Sequence, residues 1–295
     1  MADARVPVEV AGRRLSLSNL DKPLWPDGTT KGRLVEHAAA VAEVQLAHLR
    51  GRPLTLHRFP DGAGRPGFYA KNVPAGTPDW VRRVRLPAPG STKGREEITY
   101  VVADEPAALV WAANLGALEL HTPMWRVDDD GRPLPPDLLV VDLDPGPPAT
   151  AVECCAVALR AAEVLRAGGL DPVVKTSGGK GLQLYAAVPG GDTRALAHAL
   201  ALRLEAETPD LVVSRMTKAL RDGKVLVDWS QNTPAKTTVS VYSTRARPRP
   251  TVSCPLTWDE VADCRDPEDL VVTLPELPAR LQRHGDLFAP LLAPG

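Results

Sequence analysis

The sequence is poor in several features that mark particular classes of protein. Only four cysteines occur among its 295 residues, and none forms the C-x-x-C pair that is typical of structural zinc sites. No apolar run reaches the 18 residues that would suggest a membrane span, and the N-terminus lacks the apolar segment of a secretory signal. We therefore expect a cytoplasmic protein with reduced thiols and no membrane partner.

The overall charge is also uninformative, because a formal net charge of −1 gives no sign of nucleic-acid binding. The charges are unevenly distributed along the chain. Residues 211–250 include eight basic residues and two aspartates, which gives this segment a local net charge of +6. This segment is either an anion-binding surface or a solvated basic face. The basic residues are Arg215, Lys218, Arg221, Lys224, Lys236, Arg245, Arg247 and Arg249.

The most informative feature present is a pair of aspartates, Asp142 and Asp144, at the end of an apolar run that predicts a β-strand. Residues i and i+2 of a strand point to the same face, so the two carboxylates lie side by side. Two such charges repel each other unless a cation lies between them, and Mg²⁺ or Mn²⁺ prefers oxygen ligands of this kind. The alternative is that both aspartates cap the turn that follows.

Two further segments belong with this pair. The loop Ser177-Gly178-Gly179-Lys180-Gly181 offers backbone amides, a hydroxyl and a cation to an anion, although it is not a Walker A motif and a glycine hairpin would look the same. Another strand ends at Asp228, and a third carboxylate would allow two metal ions to share ligands. Asp228 alone could equally be a cap or an ion-pair partner of Lys224 or Arg221.

Helices and strands are mixed without strict β-α-β alternation, which favours an α+β fold. We expect strands at 13–18, 54–59, 67–72, 172–176, 182–188, 224–229 and 237–245, besides the one that ends at Asp144. Helices are predicted at 30–50, 105–116, 150–168 and 192–207 and from Thr257, with Thr30 and Thr150 as N-caps.

Several motifs resemble the polymerase domain of bacterial DNA ligase D, a member of the archaeo-eukaryotic primase superfamily. The resemblance covers nearly the whole chain. Its motifs are Asp21-Lys22-Pro23-Leu24-Trp25-Pro26, Gly28-Thr29-Thr30-Lys31, Arg58-Phe59-Pro60, Gly67-Phe68-Tyr69-Ala70-Lys71, Glu119-Leu120-His121, Val141-Asp142-Leu143-Asp144-Pro145-Gly146, Ser177-Gly178-Gly179-Lys180-Gly181-Leu182, Met216-Thr217-Lys218, Val227-Asp228-Trp229-Ser230-Gln231-Asn232 and Tyr242-Ser243-Thr244-Arg245.

The resemblance implies roles for these residues. Two ions of Mn²⁺ or Mg²⁺ would be held by Asp142, Asp144 and Asp228. The incoming NTP or dNTP would be contacted by His121, Ser177, Lys180, Gln183, Arg221, Lys236 and Arg245. The DNA contacts would be Lys22 and Lys31 on a 5′-phosphate, with Phe68 and Tyr69 near the template base. The family usually has histidine at position 183 and a basic residue at position 57, so Gln183 and His57 depart from its pattern.

The resemblance also implies a fold and a function. The fold would be two packed β-sheets flanked by helices, with an RRM-like catalytic core. One primase-polymerase domain would comprise an N-terminal lobe at about 1–130, the core at about 131–250 and a helical tail at about 251–295. The protein would extend primers at 5′-phosphorylated gaps or double-strand breaks, near the nucleoid. It would stand alone and act with Ku and an ATP-dependent DNA ligase in trans.

Other functions are compatible with parts of the pattern. A DNA-end-binding module could keep the 5′-phosphate contacts while Gln183 weakens catalysis. A metal-dependent nuclease or phosphoesterase could use the same three acids. A sugar-nucleotide transferase could use the D-x-D pair, although the glycine loop argues against it.

Overall fold

The structure is a computed structural model that describes residues 5–88 and 94–292. The described chain divides into two compact units. The first extends to Leu134 and also includes Tyr242–Thr251, and the second comprises Pro135–Val241 and the chain from Val252 onward.

The first unit contains three helices and an antiparallel sheet within its described residues. The sheet order is β7-β3-β6-β5, β4 pairs with β3, and β1 and β2 form a separate hairpin. The elements are β1 (Arg5–Val10), β2 (Arg13–Ser18), α1 (Lys31–Ala40), α2 (Ala42–Leu49), β3 (Pro53–Arg58), β4 (Phe68–Ala70), β5 (Arg83–Pro87), β6 (Glu97–Val102), α3 (Pro106–Asn114), β7 (Ala117–Thr122) and β8 (Trp125–Val127), followed by β9 (Pro133–Pro136) where the chain enters the second unit.

The second unit contains a six-stranded sheet in the order β13-β14-β10-β12-β11-β16. Its pairs are antiparallel except β13 with β14. The elements are β10 (Leu138–Pro145), α4 (Ala151–Ala167), β11 (Val173–Thr176), β12 (Leu182–Ala187), α5 (Thr193–Glu207), β13 (Val212–Val213), β14 (Val225–Asp228), β15 (Thr238–Val239), β16 (Pro255–Leu256), α6 (Trp258–Asp263) and α7 (Leu277–His284), with 3-10 turns at Lys218–Leu220, Trp229–Asn232, Pro267–Leu270 and Ala289–Leu292.

Alternation along β10 separates the core of the second unit from its polar face. Leu139, Val141 and Leu143 are buried in an apolar cluster with the small residues of α4 and α5. Because successive side chains of a strand alternate, Asp142 and Asp144 project from the opposite face of the sheet. The sheet therefore carries its aspartates on the face that the two helices leave uncovered.

The α+β prediction is confirmed, and the helix starts follow the expected capping chemistry. Thr150 and Glu153 form a capping box at the start of α4, in which the Thr150 hydroxyl accepts from the Val152 amide at 3.2 Å and the Glu153 carboxylate accepts from the Thr150 amide at 2.6 Å. Thr30 and Thr257 cap α1 and α6 through their hydroxyls.

Two predicted elements are shorter in the structure. The helix predicted at 30–50 is divided into α1 and α2 at Val41, which leaves the helical region with φ −93° and ψ 0°. The strand predicted at 237–245 is only β15, and Tyr242 beyond it has a φ of 61°, a left-handed conformation that a strand does not contain. Strands β5 and β6 were not anticipated from the sequence.

Gly181 offers a direct test of how tightly the sheet is packed at the start of β12. A Cβ atom at this position would lie 2.0 Å from the Leu143 carbonyl oxygen, and this close approach is open only to glycine. We expect Gly181→Ala to reduce the free energy of unfolding by roughly 1–3 kcal/mol, measured by chemical denaturation. Gly64→Ala is the control, because its Cβ would meet only the Pro26 ring at 4.0 Å. Equal stability of both variants would contradict the close contact.

Candidate functional site

Four polar side chains form one row across the second unit's sheet. Asp228 on β14 lies opposite Asp142 on β10, Asp142 lies opposite Gln183 on β12, and Gln183 lies opposite Lys175 on β11. Directly opposite residues in an antiparallel pair share a face of the sheet. All four side chains are buried, which is costly for charged groups unless they are paired or bind a cation. This polar row is the candidate site.

Asp142 is buried beside other charged side chains, and its pKa is shifted. Its Oδ1 accepts a hydrogen bond of 3.0 Å from Gln183 Nε2. Burial, followed by the charge of Asp144, raises the pKa of Asp142 to about 7, and Asp228 adds to this while Gln183 and Lys175 oppose it. Asp144 itself is exposed. A cation beside these carboxylates would relieve the repulsion that raises this pKa.

Asp228 is held by the 3-10 turn that follows it, as the capping alternative suggested. Its Oδ1 accepts from the Ser230 amide at 3.0 Å and also from the Ser230 hydroxyl, and its Oδ2 accepts from Gln231 Nε2 at 2.8 Å. Exposed Lys236 donates to the same hydroxyl of Ser230. A short chain of hydrogen bonds therefore connects the predicted cation Lys236 to the predicted metal ligand Asp228.

The glycine loop next to the row is organised by Ser177. Its hydroxyl accepts from the Gly179 amide at 3.2 Å and from the Gly181 amide at 3.3 Å. Lys180 at the tip of the loop is exposed. The serine therefore shapes the loop, and the lysine is the group that the loop presents to solvent.

Arg221 lies in the turn before β14, at the same end of the sheet as the glycine loop. Its guanidinium donates to the Met216 carbonyl oxygen at 2.5 Å, while its Nε is buried and has no hydrogen-bond partner among the described residues. The turn packs closely on the aspartate motif, since a Cβ at Gly146 would lie 1.9 Å from the Arg221 carbonyl oxygen. Arg221 is thus a partly satisfied cation near the predicted metal ligands.

Glu119 is the centre of a second polar cluster, in the first unit. Its Oε2 accepts from His57 Nδ1 at 3.0 Å and from His121 Nε2 at 2.9 Å, and Arg245 Nε lies 3.1 Å from its Oε1. Burial raises the pKa of Glu119, but the two histidine hydrogen bonds and the charge of Arg245 outweigh it and hold this pKa well below its usual range. Burial lowers the pKa of His121 despite Glu119, so its imidazole is neutral at pH 7.

The same cluster has the geometry of a metal site. Ligand atoms of His57, Glu119 and His121 lie within 4.8 Å of one another. No other group of three His, Cys, Asp or Glu side chains among the described residues has this spacing. The sequence singled out His121 and Arg245 but missed the role of Glu119. The signal was the alternation Leu118-Glu119-Leu120-His121, which places both polar residues on one face of β7.

The predicted aromatic DNA contacts lie on β4 and are exposed. Phe68 is 47% and Tyr69 54% accessible, although aromatic side chains of this size are commonly buried. The Tyr69 ring stacks on His57 at 3.9 Å, and the Arg58 guanidinium lies 5.3 Å from the Phe68 ring centre. Because consecutive residues of a strand point to opposite faces, the two exposed rings lie on different faces of β4, Tyr69 against His57 and Phe68 against Arg58.

The two predicted 5′-phosphate ligands have different environments. The Lys31 amide donates to the Lys22 carbonyl oxygen at 2.9 Å, so the residues are neighbours in space. Lys22 is exposed and lies 3.2 Å from Asp61. Lys31 is buried, and its ammonium donates to the Ser18 carbonyl oxygen at 2.6 Å. Of the two, Lys22 is the more accessible to a ligand.

Comparison with known proteins assigns the chain to a protein family. The model of the family described as LigD, primase-polymerase domain, matches residues 30–288. The chain belongs to the LigD primase-polymerase family. It is 38% identical over 283 residues to the multifunctional non-homologous end joining protein LigD of Mycolicibacterium smegmatis, with 94% of this chain and 36% of that protein covered. It is 41% identical over 286 residues to the LigD DNA repair protein of Mycobacterium tuberculosis, with 94% and 37% covered.

Solved structures agree with the sequence comparison. The polymerase domain of Mycobacterium tuberculosis ligase D in complex with DNA matches with a TM-score of 0.88 and 39% identity, covering 95% of this chain and 99% of that chain. The LigD-family chain spans little more than a third of the length of the mycobacterial relatives. In the described part of the chain, no helix is long and apolar enough to cross a membrane.

The raised pKa of Asp142 predicts a specific dependence of stability on pH. Between about pH 4 and pH 7 the folded protein keeps a proton on Asp142 that the unfolded chain has released, so this group's contribution to stability falls as the pH rises. Asp142→Asn removes the contribution. We expect the variant to gain stability over wild type at pH 8 and to gain less at pH 5, measured by urea unfolding with EDTA. An equal difference at both pH values would contradict the raised pKa.

Proposed function

We propose that this chain is a DNA-directed nucleotidyltransferase that adds ribo- or deoxyribonucleotides to primer ends at gaps or double-strand breaks. The observation that carries the proposal is the polar row, in which Asp142 and Asp228 face each other at the centre of a sheet. It is supported by membership of a family with a relative whose polymerase domain was solved in complex with DNA. Fold alone would not support a reaction, whereas this row supplies groups with a defined chemistry.

The donor set fits divalent metal ions. We propose that Asp142, Asp144 and Asp228 hold two ions of Mn²⁺ or Mg²⁺, since all three offer hard oxygen ligands. Burial and then repulsion from Asp144 and Asp228 raise the pKa of Asp142 to about 7, and a bound cation would offset this repulsion. When bound, such ions neutralise charge on the triphosphate and favour ionisation of the attacking primer hydroxyl.

The basic groups of the second unit would bind the triphosphate. Lys180 and Lys236 are exposed cations, and the buried Nε of Arg221 is a donor without a hydrogen-bond partner in the described part of the chain. Charge-assisted hydrogen bonds from such groups to phosphate oxygens hold the nucleotide and stabilise charge that develops in the transition state. We propose that Ser177 acts mainly by holding the glycine loop in shape, which fixes the position of Lys180.

The remaining predicted contacts are residues of the first unit. We propose that Phe68 and Tyr69 stack against the template base and that His121 and Arg245, both fixed by Glu119, contact the nucleotide sugar or phosphates. Lys22 and Lys31 would bind the 5′-phosphate at the far side of the gap. In the cell the chain would act near the nucleoid with Ku and an ATP-dependent ligase.

Loss of any one aspartate should abolish nucleotide incorporation while the fold is kept. We expect Asp142→Ala, Asp144→Ala and Asp228→Ala each to retain less than about a hundredth of the wild-type rate, because two ions share these ligands. The assay is primer extension on a gapped, 5′-phosphorylated duplex with Mn²⁺. Asp171→Ala, an exposed acid in the same unit, is the control and should keep full activity.

The outcomes of this assay separate the candidate functions. DNA binding without extension by the wild-type protein would favour an end-binding module, and shortening of the primer would favour a nuclease. A substantial rate in any one of the three aspartate variants would show that the ligand assignment is wrong.

Lys22 should act on DNA recognition and leave the chemistry unaffected. We expect Lys22→Ala to lose the preference for gaps with a 5′-phosphate, at about 1–3 kcal/mol for a charge-assisted contact, and to act normally on gaps without it. The paired control is Asp61→Asn, which removes the carboxylate 3.2 Å from Lys22 and should keep or strengthen the preference. An equal loss on both substrates would assign Lys22 a general electrostatic role.

A further inference from the structure

Lys175 is a fully buried lysine inside the polar row, and nothing in the sequence pattern gave it a role. Its exposed fraction is 0%, although lysine is almost never fully buried without a partner. Its ammonium donates to Gln183 Oε1 and to Ser253 Oγ, each at 2.6 Å, and lies 5.5 Å from the Tyr185 ring centre. The sheet therefore holds a positive charge two strands away from Asp142.

The ammonium fixes which way the Gln183 amide points. Gln183 Oε1 accepts from both Lys175 and the Tyr185 hydroxyl, the latter at 3.2 Å. A lysine ammonium can only donate, so it must face the oxygen of the amide and not its NH₂ group. The NH₂ group is thereby directed to Asp142, where Nε2 donates to Oδ1 at 3.0 Å. Rotating the amide by 180° would oppose donor to donor at Lys175 and acceptor to acceptor at Asp142.

We propose that Lys175 is a positioning residue for Asp142 and acts through Gln183. The three side chains form a continuous path of hydrogen bonds across β11, β12 and β10, from a buried cation to a carboxylate. The path occupies one oxygen of Asp142 and orients the group so that its other oxygen can bind a metal ion. The proposal rests on the proposed function only in taking Asp142 as a metal ligand.

Glutamine can perform this role at position 183, where histidine is usual in the family. A glutamine bridges a donor and an acceptor with its two ends and remains neutral. An imidazole at position 183 could accept from Lys175 and donate to Asp142 at the same time only in its neutral form. The positive charge at this part of the row is therefore supplied by Lys175 on the neighbouring strand, and the side chain at position 183 transmits its orienting effect.

The test is the affinity of the whole protein for Mn²⁺, measured by calorimetry without DNA or nucleotide. Lys175→Met keeps the length of the side chain and removes the ammonium, and Gln183→Leu interrupts the path at its middle. Removal of groups that orient a metal ligand typically weakens metal binding 10- to 100-fold. We expect each variant to bind Mn²⁺ about tenfold more weakly. The double variant should bind within about twofold of Gln183→Leu alone, because the two residues act along one path.

Ser253→Ala is the matched control. It removes the hydrogen bond from Lys175 to Ser253 Oγ and leaves the path to Asp142 intact. We expect reduced thermal stability with an Mn²⁺ affinity within about twofold of wild type, which separates a packing defect from a lost orienting contact. Weakening by Ser253→Ala equal to that by Lys175→Met would overturn the positioning role.

The remaining outcomes are also decisive. Unchanged Mn²⁺ affinity in Lys175→Met, or losses that simply add in the double variant, would overturn the proposal while leaving the metal assignment intact. If Lys175→Met does not fold, Gln183→Leu alone carries the test, and wild-type affinity in that variant overturns the proposal. A wild-type protein that binds no Mn²⁺ would instead refute the metal assignment of Asp142.

Discussion

The register of four strands is the constraint on which the rest of the second unit depends. Pairing of β10 with β14 on one side and β12 on the other places Asp228, Asp142 and Gln183 in line, and β11 adds Lys175. A shift of one residue in any of these pairs would move the polar side chain to the face that packs against α4 and α5. The apolar residues Leu139, Val141 and Leu143, buried on that face, therefore fix the position of the acids.

Burial of the charged side chains in this row is energetically unfavourable. Burial, followed by the charges of Asp144 and Asp228, raises the pKa of Asp142, and the neutral amide of Gln183 connects Asp142 to the buried ammonium of Lys175. The single positive charge of Lys175 offsets only part of the negative charge of these acids. A divalent cation bound beside these acids would offset their repulsion.

The sequence alone indicated the residues of the candidate site more completely than the contacts that support them. The aspartate pair, the third acid and the glycine loop were readable because apolar strands end in polar residues, and the caps at Thr30 and Thr150 followed from residue chemistry. The roles of Lys175 and Glu119 were not readable, because each depends on which strand is its neighbour. The division of the helix at Val41 and the turn at Tyr242 also depend on packing that no local pattern contains.

Two groups of described residues have metal-binding chemistry, and of the two only His57, Glu119 and His121 place their ligand atoms within 4.8 Å of one another. The three aspartates present hard oxygens suited to Mg²⁺ or Mn²⁺, whereas His57, Glu119 and His121 present two nitrogens whose protons already point to the same carboxylate. The measurement that decides between them is anomalous X-ray scattering at the manganese edge from crystals soaked with Mn²⁺ and a non-hydrolysable nucleoside triphosphate. We expect strong peaks beside Asp142, Asp144 and Asp228. A peak only at the His57–Glu119–His121 cluster, with none at the aspartates, would contradict it.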